Sequence, residues 1–228
     1  MITDDKRVRI ITGHYGSGKT EFAVNYATIL VRLSDRKLAF ADMDIVNVYF
    51  RSREVRKEIM ALGIRMIDSS ANTSADLPAV PAEAFAPFED KNYDYIIDLG
   101  GNDIGTNVLG RYKKFINSEE TDFFMVVNVF RPDTMNVEKI LKVKEQLENT
   151  SGLKVTGFVN NSNLVRETKS ENILLGDEII SEASRITGIP IKYTTYVEEV
   201  VLDMTSEIKA KLSGEVIAMK YFMREPWM

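Results

Sequence analysis

At 228 residues, with 44% hydrophobic and 28% charged side chains and a formal charge of −5, the chain is sized for one α/β domain and has no basic excess for a nucleic-acid partner. It has no Cys, which excludes disulfides, thiolate nucleophiles, iron–sulfur clusters and thiolate metal sites, and its one His excludes a histidine-rich metal centre. Any metal would be a hard cation on oxygen ligands. Neither a basic-then-apolar leader nor an apolar run of membrane-spanning length is visible, so a cytoplasmic protein with no integral membrane segment is expected.

In chain order, apolar runs of strand character fall at about 8–12, 37–42, 65–68, 93–99, 123–129, 155–160 and 190–194. Helical spacing falls at about 19–33, 52–61, 105–116, 134–149, 171–187 and 205–223. Phe124-Met125-Val126-Val127 and Tyr95-Ile96-Ile97 are unbroken apolar runs, which suits strands covered on both faces. The alternation predicts a single three-layer α/β domain over residues 1–228. Its sheet should be mostly parallel and doubly wound, with about seven strands. The stretch Ser69 to Asp90, rich in Ala, Pro and Ser, reads as a connector, or else as the wall of an acceptor pocket. In the last predicted helix, Ile208, Leu212, Val216, Met219 and Met223 share near-helical spacing, with Lys209, Lys211, Lys220 and Arg224 among them. That pattern suits a helix packed on the sheet, or one lying on a membrane surface. Pro226-Trp227-Met228 ends the chain with an aromatic that could seal a dimer or cover the core.

The first strand runs into Gly13-His14-Tyr15-Gly16-Ser17-Gly18-Lys19-Thr20, which fits the phosphate-binding pattern G-x-x-x-x-G-K-[ST] in full. A helix follows, with Glu21 in its first turn and Phe22, Tyr26, Ile29 and Leu30 near one face. Strand, glycine loop and helix are the setting this motif requires. Glycines let the backbone approach a phosphate, and N–H groups at the helix start face the anion. In this motif Lys19 reaches the β- and γ-phosphates and Thr20 ligates Mg²⁺. ATP or ADP with Mg²⁺ is the expected ligand; there is no N-K-x-D sequence whose Asp would read guanine.

Ligands of such folds sit at the carboxyl ends of the strands. The second strand ends in Asp42-Met43-Asp44, and the fourth in Asp98-Leu99-Gly100-Gly101, a D-x-x-G. Mg²⁺-nucleotide chemistry needs one acidic group for the metal and another to orient water. Asp98 and Asp42 are therefore the metal candidates with Thr20, and Asp44, Asp42 and Lys19 the catalytic ones. Gly101 could turn a backbone N–H onto a γ-phosphate. Helix or turn capping is the plain alternative for these aspartates. Arg51, Arg53 and Arg56 follow in a row, which suits a solvated helix or a contact with a partner, a phosphate or an acidic helix face.

This order of motifs resembles the SIMIBI class of P-loop NTPases, within the MinD/ParA/CobQ-CobB-like group, from residue 8 to about 200. The resemblance implies an ATPase, slow without a partner, that works as a nucleotide-dependent switch in maturation or partitioning. It also implies a homodimer and a protein client. In that group an Asn after a late strand reads adenine. Here Gly157-Phe158-Val159-Asn160-Asn161-Ser162-Asn163 stands in place, with Asn161 preferred over Asn160 and an Asn-rich turn as the alternative. Gly188-Ile189-Pro190 resembles the approach to the group's last strand. Where the group's deviant loop carries a lysine that crosses to the partner's phosphates, this chain has His14, which is read as packing beside the nucleotide rather than acting in trans. The lack of Cys excludes the iron–sulfur, C-x-C and glutamine-amidotransferase variants of the group. A small-molecule kinase or ligase similar to dethiobiotin synthetase is the second reading, although that family's loop is one residue longer. A nucleotide-binding module without turnover is the third.

Overall fold

Strand β1 (Val8–Thr12) is buried over its whole length. It lies between β4 (Tyr93–Leu99) and β5 (Thr121–Val127). The computed structural model describes residues 1–43, 53–68, 82–101, 109 and 114–223. Around β1 are β2 (Lys37–Met43), β3 (Arg65–Asp68), β6 (Gly157–Asn160), β7 (Ile191–Val197) and β8 (Glu215–Met219). They form one eight-stranded sheet in the order β3-β2-β4-β1-β5-β6-β7-β8, with every neighbouring pair parallel. Parallel neighbours need crossovers, and these carry α1 (Lys19–Leu33), α2 (Arg53–Ala61), the short α3 (Ala86–Glu89), α4 (Val137–Ser151) and α5 (Ser170–Thr187).

Alternate residues of each strand face opposite ways, which splits the core into two layers. On one face Val8, Ile10, Tyr95, Ile97, Phe123 and Met125 pack with Phe88, Ile140, Val143, Leu147 and Ile180 of α3, α4 and α5. On the other, Ile11, Phe40, Ile96, Phe124 and Val126 pack with Phe22, Tyr26, Ala27 and Leu30 of α1 and Ile59 of α2. At the amino-terminal pole, Arg9 is sealed under the sheet, bonded to Asp94 Oδ1 (2.7 Å) and to the carbonyls of Arg7 and Asp5 (3.1 Å each). Asp5 accepts the hydroxyls of Tyr26 and Tyr193 and pairs with Lys192. Burial raises both phenols well above their ordinary range, so they stay protonated donors. Among the described residues no helix is long and apolar enough to cross a membrane.

The mostly parallel sheet expected with about seven strands has eight. The eighth comes from the stretch read as a helix over 205–223, which is one helical turn, α6 (Ser206–Lys209), then β8. From Val216 to Met219 burial alternates, with Val216 half-buried, Ile217 buried, Ala218 exposed and Met219 buried, a period of two. Pairing with β7 from Tyr193↔Glu215 to Val197↔Met219 supplies hydrogen bonds that outweigh a weak helical spacing. Strand β5 also ends earlier than expected, at Val127, so Asn128 and Val129 begin a loop. The helix expected over 105–116 stops short of 114–116 and otherwise falls almost wholly outside the described residues, as do Arg51, Ser69 to Pro81 and Pro226-Trp227-Met228.

Candidate functional site

The order of the sheet turns at β1, so the crevice outside its carboxyl end is where a ligand of this architecture binds. Residues Gly13–Gly18 occupy that crevice and α1 begins at Lys19. Gly16 and Gly18 hold φ of 76° and 82°, left-handed values that bend the loop around a concavity facing the start of α1. Lys19 is 6% exposed and therefore largely desolvated. The hydroxyl of Ser17 is buried without a hydrogen-bond partner among the described residues. Tyr15 stands out from the loop at 75% exposure, and Thr20 is half-buried on the first turn. An open cleft of about 670 Å³ is lined by His14, Tyr15, Lys19, Thr20, Arg131 and Met223, among others. A curved run of backbone N–H groups, a helix start and a buried cation together fit a polyphosphate.

Asp42 and Asp98 are register partners across β2 and β4, and Ile11 pairs with Asp98 on the other side. Each aspartate is two residues beyond Phe40 or Ile96, so both lie on the face that carries α1. Asp98 is fully buried and Asp42 half-buried. Among the described residues no three His, Cys, Asp or Glu side chains cluster to hold a metal. Two carboxylates and the Thr20 hydroxyl on one face still suit Mg²⁺, which keeps several waters and takes phosphate oxygens for the rest. Asp44 lies outside the described residues. Gly101 packs backbone to backbone on the loop: a Cβ there would stand 1.8 Å from the Gly13 carbonyl oxygen.

His14 has a partner in its own chain, with Nε2 3.5 Å from Asp133 Oδ2 and Nδ1 3.2 Å from the Tyr15 carbonyl oxygen. Glu21 lines the cleft and the smaller cavity beside it, and its carboxylate accepts the N–H groups of Phe222 (2.5 Å) and Met223 (3.2 Å), while Asn25 donates to the Lys220 carbonyl and accepts its N–H. The first two turns of α1 thus clasp the segment after β8 over the cleft.

The two asparagines expected at a base are both committed to protein groups. Asn160 donates to the Ile173 carbonyl and accepts from Ser162 N–H. Asn161 donates to the Ser17 carbonyl at 2.7 Å and accepts from Thr195 Oγ1 at 2.7 Å, so it braces the glycine loop. The cavity beside them is lined by Asn161, Val165, Thr195, Tyr196, Val201 and Tyr221, among others, and measures about 60 Å³. Ligand pockets usually start at about 300 Å³, so a base entering here must part these walls. Val165 adopts φ 59°, a left-handed conformation that β-branched residues avoid. Val165→Asn is expected to relieve about 1 kcal/mol of strain and raise the melting temperature by about 2–4 °C, while weakening nucleotide binding through the lost apolar wall; a melting curve and a binding titration check both.

No sequence motif marks Arg131, Asp133 or Asn128. They stand in the exit loop of β5, which ends at Val127, two residues before the end that the apolar run predicts. Arg131 Nε donates to the Gly16 carbonyl at 2.9 Å.

No protein-family model matches the sequence, and no curated protein matches it. Solved structures do. The cell division protein FtsY from Thermotoga maritima superposes with a TM-score of 0.55 at 20% identity, covering 90% of this chain and 68% of that one. Chloroplast FtsY from Physcomitrella patens gives 0.54 at 17%, covering 82% and 57%. FtsY from Mycoplasma mycoides gives 0.52 at 18%, covering 81% and 58%. The chain thus spans 57–68% of these structures' length. The parallel sheet with β1 at its turning point and these superpositions show that the chain shares the α/β fold of these FtsY structures, one parallel sheet covered by helices.

Proposed function

We infer that the protein binds Mg-ATP at Gly13–Thr20 and hydrolyses it slowly, as a nucleotide-dependent switch. The observation that carries this reading is the loop itself: left-handed Gly16 and Gly18, desolvated Lys19 at a helix start, and two aspartates in register on the same face of the sheet. Lys19 neutralises the β- and γ-phosphates. Thr20 and Asp98 would hold Mg²⁺ and Asp42 its waters; the ion would supply charge neutralisation across the phosphates. Asp44 orients the attacking water. Adenine is proposed over guanine because the sequence has no N-K-x-D whose Asp would read guanine, and Glu21, the one carboxylate among the described residues lining the base-side cavity, is held by backbone N–H groups. Gly101, resting on Gly13, is placed to carry the presence of a γ-phosphate to the chain that follows it. A cytoplasmic homodimer that acts on a protein client completes the proposal.

Two measurements test it. Calorimetric titration should give saturable binding of Mg-ATP, with Mg-GTP weaker by about tenfold or more, the discrimination expected of a base-edge contact. No binding of either would overturn the assignment. Light scattering should then show a monomer with Mg-ADP that becomes a dimer with a slowly hydrolysed Mg-ATP analogue. An unchanged mass would remove the switch and direct attention to phosphoryl acceptors other than water.

A further inference from the structure

Arg131 stands where the phosphate cleft and the base-side cavity meet, and lines both. Its Nε is spent on the Gly16 carbonyl, 2.9 Å away, and no carboxylate among the described residues pairs with its guanidinium. The nearest acidic neighbour in its own loop, Asp133, faces His14 instead. The loop that carries it is cross-braced. Asn128 accepts from the N–H groups of Phe130 (3.0 Å) and Asn163 (3.2 Å) and donates to the Asn163 carbonyl (3.1 Å). Thr134 Oγ1 donates to the Asn128 carbonyl at 2.7 Å, and Arg131 N–H donates to the same carbonyl at 3.1 Å. Val129 N–H reaches Ser162 Oγ at 3.3 Å. One polar node therefore fixes the Arg131 loop and the Asn160–Asn163 loop together, with the glycine loop held between them by Arg131 and Asn161.

Anchoring through Nε sets the plane of the guanidinium and leaves the two terminal nitrogens as a fork, the geometry that binds two phosphate oxygens at once. We propose that Arg131 is a polyphosphate-binding residue supplied from the same chain, positioned at the junction of base and phosphates so that it holds the diphosphate portion common to ATP and ADP. This rests on the nucleotide reading above. It assigns the second phosphate-directed cation of the site to this chain's own loop rather than to a second subunit.

The test is calorimetric titration of wild type, Arg131→Ala and Arg131→Lys with Mg-ATP, Mg-ADP and adenosine, with melting curves as a check on folding. Removing a charge-assisted hydrogen-bond donor should raise Kd for both Mg-ATP and Mg-ADP by about tenfold to a hundredfold and leave adenosine within about twofold. Arg131→Lys can still donate to the Gly16 carbonyl but loses the fork, so it should melt like wild type and bind as weakly as Arg131→Ala to within about threefold. Full recovery in Arg131→Lys would reduce the residue to a brace and overturn the proposal. So would an equal loss for adenosine, which would make Arg131 a wall of the base site, or unchanged affinities in Arg131→Ala. Wild type that binds none of the three ligands overturns the nucleotide reading itself; wild type that binds them equally well with or without Arg131 overturns this inference alone.

Discussion

Lys19→Ala is expected to weaken Mg-ATP binding by about a hundredfold or more while leaving the protein folded. Lys19 is desolvated at the start of α1, where its charge meets the positive end of the helix dipole. Such a placement costs the empty protein stability and is repaid by an anion. Truncating one partner of a buried charge pair typically costs 2–5 kcal/mol of binding, about two to three powers of ten in Kd. The melting temperature of the empty variant should stay within a few degrees of wild type, because the repulsion from the dipole disappears along with any contact the ammonium makes. Calorimetric titration reads the first quantity and a thermal melt the second. A variant that binds Mg-ATP as tightly as wild type would remove the loop from the site.

Gly101→Ala should come next in effect. The added methyl would lie 1.8 Å from the Gly13 carbonyl oxygen and 2.6 Å from its carbon, both backbone atoms that cannot rotate away. The chain after β4 and the glycine loop must separate, at a cost of about 1–3 kcal/mol. A misplaced loop loses its N–H array, so Mg-ATP affinity should fall by at least about tenfold, and hydrolysis further, because positioning errors of about 1 Å cost two powers of ten in rate. Gly63→Ala is the matched control. A Cβ there meets nothing within 4 Å, although φ is +85°. It should cost about 1 kcal/mol of stability through backbone strain and leave nucleotide affinity unchanged. Equal affinities for Gly101→Ala and wild type would show that contact with the strand-β4 exit does not shape the loop.

The fold class and the phosphate loop were legible because both are short-range patterns. Apolar runs separated by helical spacing decide that strands are covered on both faces, and eight consecutive residues hold the loop motif. That Asp42 and Asp98 stand at strand ends on one crevice also follows from the sequence, since carboxyl ends of parallel strands converge there, whereas their pairing across β2 and β4 comes from the strand order. The last strand was not legible. Ile208, Leu212, Val216, Met219 and Met223 fit a helical period, and only the edge that β7 offers for pairing puts residues 215–219 into a strand.

The use of individual polar side chains was the least legible part. Glu21 and Asn161 sit at the positions the motif logic picks out. Yet Glu21 holds N–H groups 201 and 202 residues away, and Asn161 holds the Ser17 carbonyl 144 residues away. Arg131 reaches Gly16 across 115 residues. Alone, then, the sequence determined the elements and the loop that bends around a phosphate, because those depend on periodicity and on glycine and lysine within one turn of chain. Only the tertiary structure decided which amides brace that loop, which arginine stands over it and what the C-terminal segment covers. Those partners are chosen by strand order, and every buried polar group must take the donor or acceptor that the neighbouring strand's exit loop brings to it.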